Sequence, residues 1–554
     1  MANKKRFNLE ELVAYEHAYG GSLTRKRQLQ LIGFPVAILG AFGYVLTLHW
    51  QVALALAIVG VIGGYLWLLP RQVRENYFEQ GYIQRNLLIN QLSQSMLDES
   101  RTYDRALIIA RDSIEGSVNI EDDDYNELKH DLDVLIGQLV LRPNKERTKD
   151  VFANFVGKYA YDENFALFFE QIETKVREGY VNESVLEELM KQHNATYELQ
   201  LNYNRGMNAK KREFQLVSII MAGVLWFTAS QVMSTMGANV KATYFDGVLG
   251  WSVAVIFAVL YGMLMLFFYR KYFDRNIMAL SASRNGLVRP YEVRPFDEQQ
   301  VAEIKQYQQR PLNRFAIMLR TKNEHKLMRK LNFSVVDEIN YQRKRVFQAF
   351  IGLLFGIVLA SSMHAWWAFT LPVIFPIAVY AYGHKRITDE LFAWTLNREV
   401  AFAKFIRLLT PYLLQGTSMN PYRLFEQIGL RLNANSDREM VFQLLESIRR
   451  HPNSEQPYTD FARVFSGNPR AVTYMSSIYG VLNTNGNPSV IQTLARQADE
   501  EFTDKVKQIA DMKLNKLGVI STLTFLAGLL PLFGMVGSLL FIVIKPLFDG
   551  GLGF

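Results

Sequence analysis

The chain has 554 residues, 49% of them hydrophobic and 21% charged, with a net charge of +8 and a pI near 9.2. It contains no cysteine, which excludes disulfides, thiol catalysis and cysteine-ligated zinc or iron–sulfur centres. The positive balance points to an anionic partner, and the long apolar blocks make that partner a lipid surface rather than nucleic acid.

The N-terminal segment 1–30 is polar and carries both charge signs. It lacks the short apolar core and small-residue cleavage site of a secretory signal, so it is expected to be retained. Two apolar runs follow, 31–48 and 52–69, parted only by His49, Trp50 and Gln51. Each approaches the roughly 20 residues that a helix needs to cross a bilayer, so 31–69 predicts a transmembrane hairpin. Residues 70–215 read as a helical domain. Leu88, Leu92 and Met96 recur at helical spacing, and Val185, Leu186, Leu189 and Met190 form a second stripe. Spans three and four are predicted at 216–236 and 248–268.

Residues 269–345 read as a linker, with Pro290, Pro295 and Pro311 in its polar part. A second hairpin is predicted over 346–383, with His364, Trp366 and Trp367 at its turn. Trp50 and these two tryptophans fit an interfacial aromatic belt. A second helical domain is predicted over 384–516, with Phe402, Phe405, Leu409 and Leu413 in one stripe and Val490, Ile491 and Leu494 in another. The seventh span, 517–544, contains no charged residue and leads into a tail, 545–554.

The loops alternate in charge. RKRQLQ at 25–30, KKREFQ at 210–215 and RKRVFQ at 343–348 each precede an apolar run. The short turns at 49–51 and 364–365 carry no Lys or Arg, and the 237–247 turn carries only Lys241. By the positive-inside bias the N-terminus and both helical domains are expected in the cytoplasm, and the tail outside. Arg25, Lys26, Arg27, Lys210, Lys211, Arg212, Arg343, Lys344 and Arg345 are then juxtamembrane clamps. Each is worth roughly 1 kcal/mol against anionic headgroups.

The two halves read alike. Arg25-Lys26-Arg27 aligns with Arg343-Lys344-Arg345, and His49 and Trp50 with His364 and Trp366. Ser184-Val185-Leu186 aligns with Ser489-Val490-Ile491, and Ala222-Gly223-Val224-Leu225 with Ala527-Gly528-Leu529-Leu530. A period of about 300 residues predicts a duplicated domain rather than a solenoid.

Catalytic signatures are absent: no G-x-x-x-x-G-K-[ST], no H-E-x-x-H and no G-x-S-x-G. The acidic run Glu121-Asp122-Asp123-Asp124 lacks the register of a calcium loop and reads as solvated. No Asp, Glu, Lys or Arg lies within a predicted span, which argues against an ion pathway. Gly528, Pro531, Gly534 and Gly537 in the last span form either a pivot or a close helix contact. No metal or cofactor is expected.

Leu413-Leu414-Gln415-Gly416-Thr417-Ser418, followed by Leu424 and Ile428, resembles the opening motif of the type II secretion F domain family. Val481-Leu482-Asn483-Thr484-Asn485-Gly486, followed by Val490, Leu494 and Ala498, resembles its closing motif. The first domain departs from the pattern, with Glu99-Ser100-Arg101-Thr102 in place of the opening glycine stretch, and both halves lack the closing Glu. Gly416 and Gly486 are the family-motif turns. The hairpin-first, duplicated plan is most similar to tight-adherence and archaeal-flagellar platforms. The resemblance implies a non-enzymatic inner-membrane platform that couples a secretion-type hexameric ATPase to assembly of pilin-like subunits. The expected partners are that ATPase, the pilin-like subunits and anionic membrane lipids, in a homo- or hetero-oligomer without direct nucleic-acid contact. The alternatives are a membrane scaffold for conjugation or DNA uptake, and a duplicated transporter. The expected architecture is all-α: a polytopic membrane protein with about seven transmembrane helices and two duplicated cytoplasmic helical-bundle domains.

Overall fold

The computed structural model describes residues 9–18, 24–97, 102–117, 126–141, 145–159, 162–178, 183–275, 277, 311, 314, 318, 322–330, 335–363, 370–414, 420–432, 435–465, 469–483 and 488–551. Among them there is no strand, so the fold is all-α. Five helices are long and apolar enough to cross a membrane: Gln28–Thr47, Trp50–Met96, Val185–Thr235, Gly250–Tyr272 and Val490–Leu540. The second predicted hairpin turn (His364, Trp366 and Trp367), the acidic run 121–124 and the motif glycines Gly416 and Gly486 lie outside the described residues.

The chain divides into two compact units. Unit 1 is Met1–Ile277 with Ala510–Phe554, and unit 2 is Met278–Ile509. Unit 1 holds α1 (Leu9–His17), α2 (Arg25–Thr47), α3 (Trp50–Gly63) and α4 (Leu69–Leu97). Four short helices follow: α5 (Tyr103–Ser117), α6 (Glu127–Leu141), α7 (Lys145–Lys158) and α8 (Glu163–Glu178). Then come α9 (Glu183–Val240) and α10 (Val248–Tyr272). Unit 2 holds α11 (Lys322–Lys330), α12 (Val335–Met363) and α13 (Leu371–Leu414). Its short helices are α14 (Pro421–Arg431), α15 (Asn435–Arg450), α16 (Gln456–Phe465) and α17 (Pro469–Asn483). The last helix, α18 (Pro488–Gly551), begins in unit 2 and ends in unit 1. In each half the order is a long helix, four short helices and a second long helix.

α2 and α3 pack as a helical hairpin, and small residues let it close. A Cβ on Gly43 would stand 3.0 Å from Ala53 Cα, and one on Gly60 would stand 3.1 Å from Val36 Cα. Helices approach this closely only where no side chain intervenes. The turn is so short that Leu48 takes a left-handed φ of 57°, a strained state for a branched side chain. The Thr47 hydroxyl donates to the Gly43 carbonyl at 2.7 Å, which ends α2 tidily. At the other end of α3 a π-helical turn, Gly64–Leu68, precedes Pro70. Pro70 has no N–H to offer the Leu66 carbonyl, so the ladder loosens where the apolar run ends.

The apolar segments bury aromatic seams and expose apolar backs. Phe42 of α2 sits edge-on to Phe257 and Tyr261 of α10, with ring centroids 5.1 and 4.7 Å away. The Tyr261 hydroxyl donates to Ser218 Oγ of α9 at 2.9 Å. Phe214 stacks on Phe268 at 4.1 Å. By contrast Phe227, Val259 and Phe533 are 65%, 51% and 66% exposed. Such continuous exposed apolar surface fits a hydrocarbon environment rather than water.

Each helical domain has its own core. In unit 1, Leu88, Leu92, Met96, Phe152, Phe155, Phe165, Phe169 and Leu186 are buried together. In unit 2, Phe402, Phe405, Leu409, Leu413, Leu424, Phe425, Val441 and Phe461 are buried. Both sequence-predicted entry stripes are core faces. The second exit stripe is narrower than predicted: Ile491 and Leu494 are buried, but Val490 is 40% exposed. α14 starts with Asn420 as cap, its Oδ1 accepting from the Tyr422 N–H at 2.9 Å, and Pro421 follows at the first helical position.

Candidate functional site

α9 and α18 are unbroken over 58 and 64 residues, about 90 Å each at 1.5 Å per residue. Each joins a helical domain to an apolar span. What crosses from one part to the other must pass the point where the apolar face ends. In unit 1 that point is a polar junction among α4, the end of α10, the middle of α9 and α18.

The junction is built from charges and amides just beyond the apolar stretches 52–69, 216–236, 248–268 and 517–544. Lys513 Nζ of α18 lies 3.0 Å from Asp274 Oδ1, with the lysine side chain 7% exposed. Arg275 reaches Glu79 of α4 at 3.9 Å and its guanidinium lies over the Tyr272 ring at 4.7 Å. Asn204 of α9 donates to Glu79 at 3.2 Å. The Tyr203 hydroxyl donates to the Asp274 carbonyl at 2.9 Å, and Gln200 donates to the Arg275 carbonyl at 3.1 Å. The Tyr272 hydroxyl donates to Asn208 at 2.8 Å. Four helices are thus tied at one level by two ion pairs and a set of side-chain hydrogen bonds.

Glu75 of α4 stands in the same place. Burial raises its pKa to about 7; Arg275 opposes the rise, while Glu79 and Asp274 add to it. Burial also lowers the pKa of Lys513, against the pull of Asp274, and that of Lys271, where neighbouring Lys516 adds to the effect. The junction therefore holds a carboxyl that changes charge near neutral pH beside cations whose charge is costly to keep.

Unit 2 has a comparable knot. Arg345 Nη1 lies 2.8 Å from Glu324 Oε1, with side chains 3% and 2% exposed. Arg345 also donates to the Tyr380 carbonyl from Nε and Nη2 at 2.8 and 2.6 Å, and lies over the Tyr380 ring at 3.8 Å. His384 and Gln342 contact the same glutamate at 2.9 and 3.2 Å. The knot ties α11, α12 and α13 together. Further along, Arg407 lies 2.8 Å from Asp499, and Lys505 lies 2.7 Å from Glu399, joining α13 to the start of α18.

These contacts sort the sequence-predicted residues. Lys26, Arg212, Arg343 and Lys344 are exposed, as headgroup clamps require. Arg25 and Arg27 open α2. Lys210 pairs with Glu213 at 2.6 Å, and Lys211 lies 5.3 Å from the Tyr272 ring centroid, so both also serve the protein. Arg345 is not a headgroup clamp. It is buried on Glu324 because α13 closes over that face of α12, and Gly383 makes room: a Cβ there would stand 2.5 Å from Arg345 Nε.

In the last span, Gly528 is a contact point, since an added Cβ would run into the Met221 thioether of α9. Gly534 faces Tyr244, whose hydroxyl donates to the Pro531 carbonyl at 3.4 Å. Gly537 faces open space. The helix passes through all four positions without interruption, so they mark no break; Gly528 and Gly534 are contact points and Gly537 is not. At the opposite end of the bundle His49 lies 3.1 Å from Asp246 and stacks on Trp251. No group of three or more metal-ligating side chains occurs among the described residues.

The chain is similar to two Bacillus anthracis proteins, both named as uncharacterized. With pXO2-23 it shares 27% identity over 285 residues, 50% of this chain and 96% of that protein. With pXO2-22 it shares 28% identity over 205 residues, 36% of this chain and 80% of that protein. No protein-family model matches the chain. No solved structure matches it.

Proposed function

We propose that this chain is a multi-pass membrane platform protein of a type II secretion or type IV pilus-like machine, of the tight-adherence kind, without an enzymatic activity of its own. Its role is to couple a cytoplasmic secretion-type ATPase to the assembly of pilin-like subunits. The observation that carries the reading is the pair of unbroken helices α9 and α18, each running from a four-helix domain into an apolar span. A rigid helix about 90 Å long transmits tilt or rotation from one end to the other. The junction of Glu75, Glu79, Asp274, Arg275 and Lys513 is where such a movement meets the span.

The same order of elements in both halves supports a duplicated plan with seven spans, α12 and the start of α13 supplying two. The exposed Lys26, Arg212, Arg343 and Lys344 support an N-terminus and helical domains on the cytoplasmic side. Crosslinked pull-down of the tagged full-length chain from native membranes, read by mass spectrometry, tests the function. Recovery of a hexameric secretion-type ATPase with pilin-like subunits is the expected result. Recovery of neither, together with solute movement into liposomes carrying the purified protein, would sink the reading in favour of a transporter.

A further inference from the structure

Lysines from three helices of unit 1 gather where its apolar stretches stop. The run of α10 ends at Phe268, and those of α9 and α18 begin at Leu216 and Leu517. Lys271 stands in the last turn of α10. Lys513 and Lys516 stand one turn apart on α18, so they share a face. Lys210 of α9 reaches the same stretch of α18: a Cβ on Gly518 would stand 3.4 Å from its Nζ.

The charges here do not balance. Those that act on Lys271 are Lys516, Arg270 and Asp274, two cations against one carboxylate. That carboxylate is already engaged, since Asp274 Oδ1 is held by Lys513 Nζ at 3.0 Å. Lys513 in turn feels both Lys271 and Lys516. Lys271 and Lys513 thus draw on the same carboxylate while Lys516 repels both. Lys271 is half-buried and Lys516 exposed. Partial burial removes water that would screen the repulsion, and an anion placed beside the two lysines relieves it.

The sequence positions say what carries that anion. Lys516 heads an exposed apolar stripe on α18, with Val519 and Leu523 following at helical spacing. Lys271 ends another on α10, with Met263 and Phe267 preceding it at the same spacing. Each lysine therefore sits at the polar end of an apolar stripe on its own helix. We infer that Lys271 and Lys516 form a discrete binding site for one anionic phospholipid, its phosphate held by the two ammonium groups and its acyl chains laid along the stripes. Such a site differs from the diffuse attraction of exposed clamps, because it fixes a single molecule at a single place. The inference rests on these helices lying in a bilayer and not on the coupling role, so the outcome of the pull-down leaves it untouched. Release of the chain from membranes by alkaline carbonate without detergent would overturn the bilayer reading, and this inference with it.

The test uses the full chain, extracted and washed free of lipid in a neutral detergent. It is then given phosphatidylglycerol, phosphatidylcholine or inorganic phosphate. Native mass spectrometry counts the lipid retained, and thermal unfolding reads the protection each gives. One phosphatidylglycerol per chain should be retained, about tenfold more often than phosphatidylcholine. Lys271→Gln with Lys516→Gln should lower that retention about tenfold. Lys322→Gln with Lys326→Gln removes the same charge from exposed positions of α11 and should retain the lipid like the wild type. Without lipid, the Lys271→Gln, Lys516→Gln variant should melt no lower than the wild type, because a repulsion is gone; lost retention is then not lost folding. Equal retention of the two lipids, or equal loss in both double variants, would overturn the inference. Protection by inorganic phosphate equal to that by phosphatidylglycerol would give the site to a soluble phosphate and overturn the lipid assignment.

Discussion

Arg345 Nη1 stands 2.8 Å from Glu324 Oε1 with both side chains almost fully buried, so the RKR motif that looks like a uniform basic clamp contains one residue with another task. A buried ion pair gives little net stability relative to an apolar pair, but removing one partner strands the other. Arg345→Met is therefore expected to cost about 3–5 kcal/mol, because it takes the guanidinium away from a buried carboxylate that His384 and Gln342 also contact. The double change Arg345→Met with Glu324→Leu should recover most of that loss. Thermal unfolding of the detergent-solubilised protein checks both. Equal losses in the single and double variants would mean the knot matters by shape, not by charge.

Glu75 gives a pH dependence with a definite sign. Its folded pKa is raised from 4.5 to about 7, chiefly by burial. The folded state thus binds a proton that the unfolded state has released. Its contribution is fully present below pH 4.5 and is lost as pH rises from there to about 7, and it is flat above that. The loss is on the order of 2 kcal/mol after allowing for partial solvent screening. Glu75→Gln carries no such charge, so it should abolish this part of the slope and be more stable than the wild type at pH 8. Melting temperatures across pH 5 to 8.5 measure it. A variant with the same slope as the wild type would show that the proton is taken elsewhere.

Much of this plan was legible in the sequence, and its limits are physical. The apolar runs marked the helices that are long and apolar enough to cross a membrane, because a helix satisfies its own backbone along such a run. The stripes at Leu88, Leu92 and Met96 and at Phe402, Phe405 and Leu409 marked core faces, because burial follows helical period. Arg345 could have been found the same way. Glu338, Gln342 and Arg345 recur at four and three residues, and all are buried. That polar stripe on one face of α12 signals a partner that is not water. The Lys513–Asp274 pair left no local trace, since its members lie on different helices far apart in the chain. Nor does spacing reveal that the end of α18 completes the bundle of the first half.

The glycines of the last span can be told apart by substitution. Gly528→Ala places a methyl group against Met221, which should cost about 1–3 kcal/mol, as overpacking of a tight seam does. Adding Met221→Ala should relieve most of it. Gly537→Ala meets nothing within 4 Å and should be neutral or slightly stabilising. Equal effects at Gly528 and Gly537 would favour a helix-wide need for flexibility over the contact described here.

The orientation is open to direct measurement, because a chain without cysteine accepts single reporters cleanly. Lys26, Arg212, Lys241 and Arg343 are all exposed, so their replacement disturbs no packed side chain. On intact cells a membrane-impermeant maleimide should label Lys241→Cys, which sits in the turn between α9 and α10. It should leave Lys26→Cys, Arg212→Cys and Arg343→Cys unlabelled until the cells are broken. The reason is the asymmetry of charge along the sequence: basic clusters stand directly before the apolar runs that begin at 31, 216 and 346, whereas the turn between α9 and α10 has Lys241 with Asp246 close by. The reverse pattern would turn the protein over in the membrane. It would also remove the helical domains from the side where an ATPase could reach them, and with that the proposed coupling.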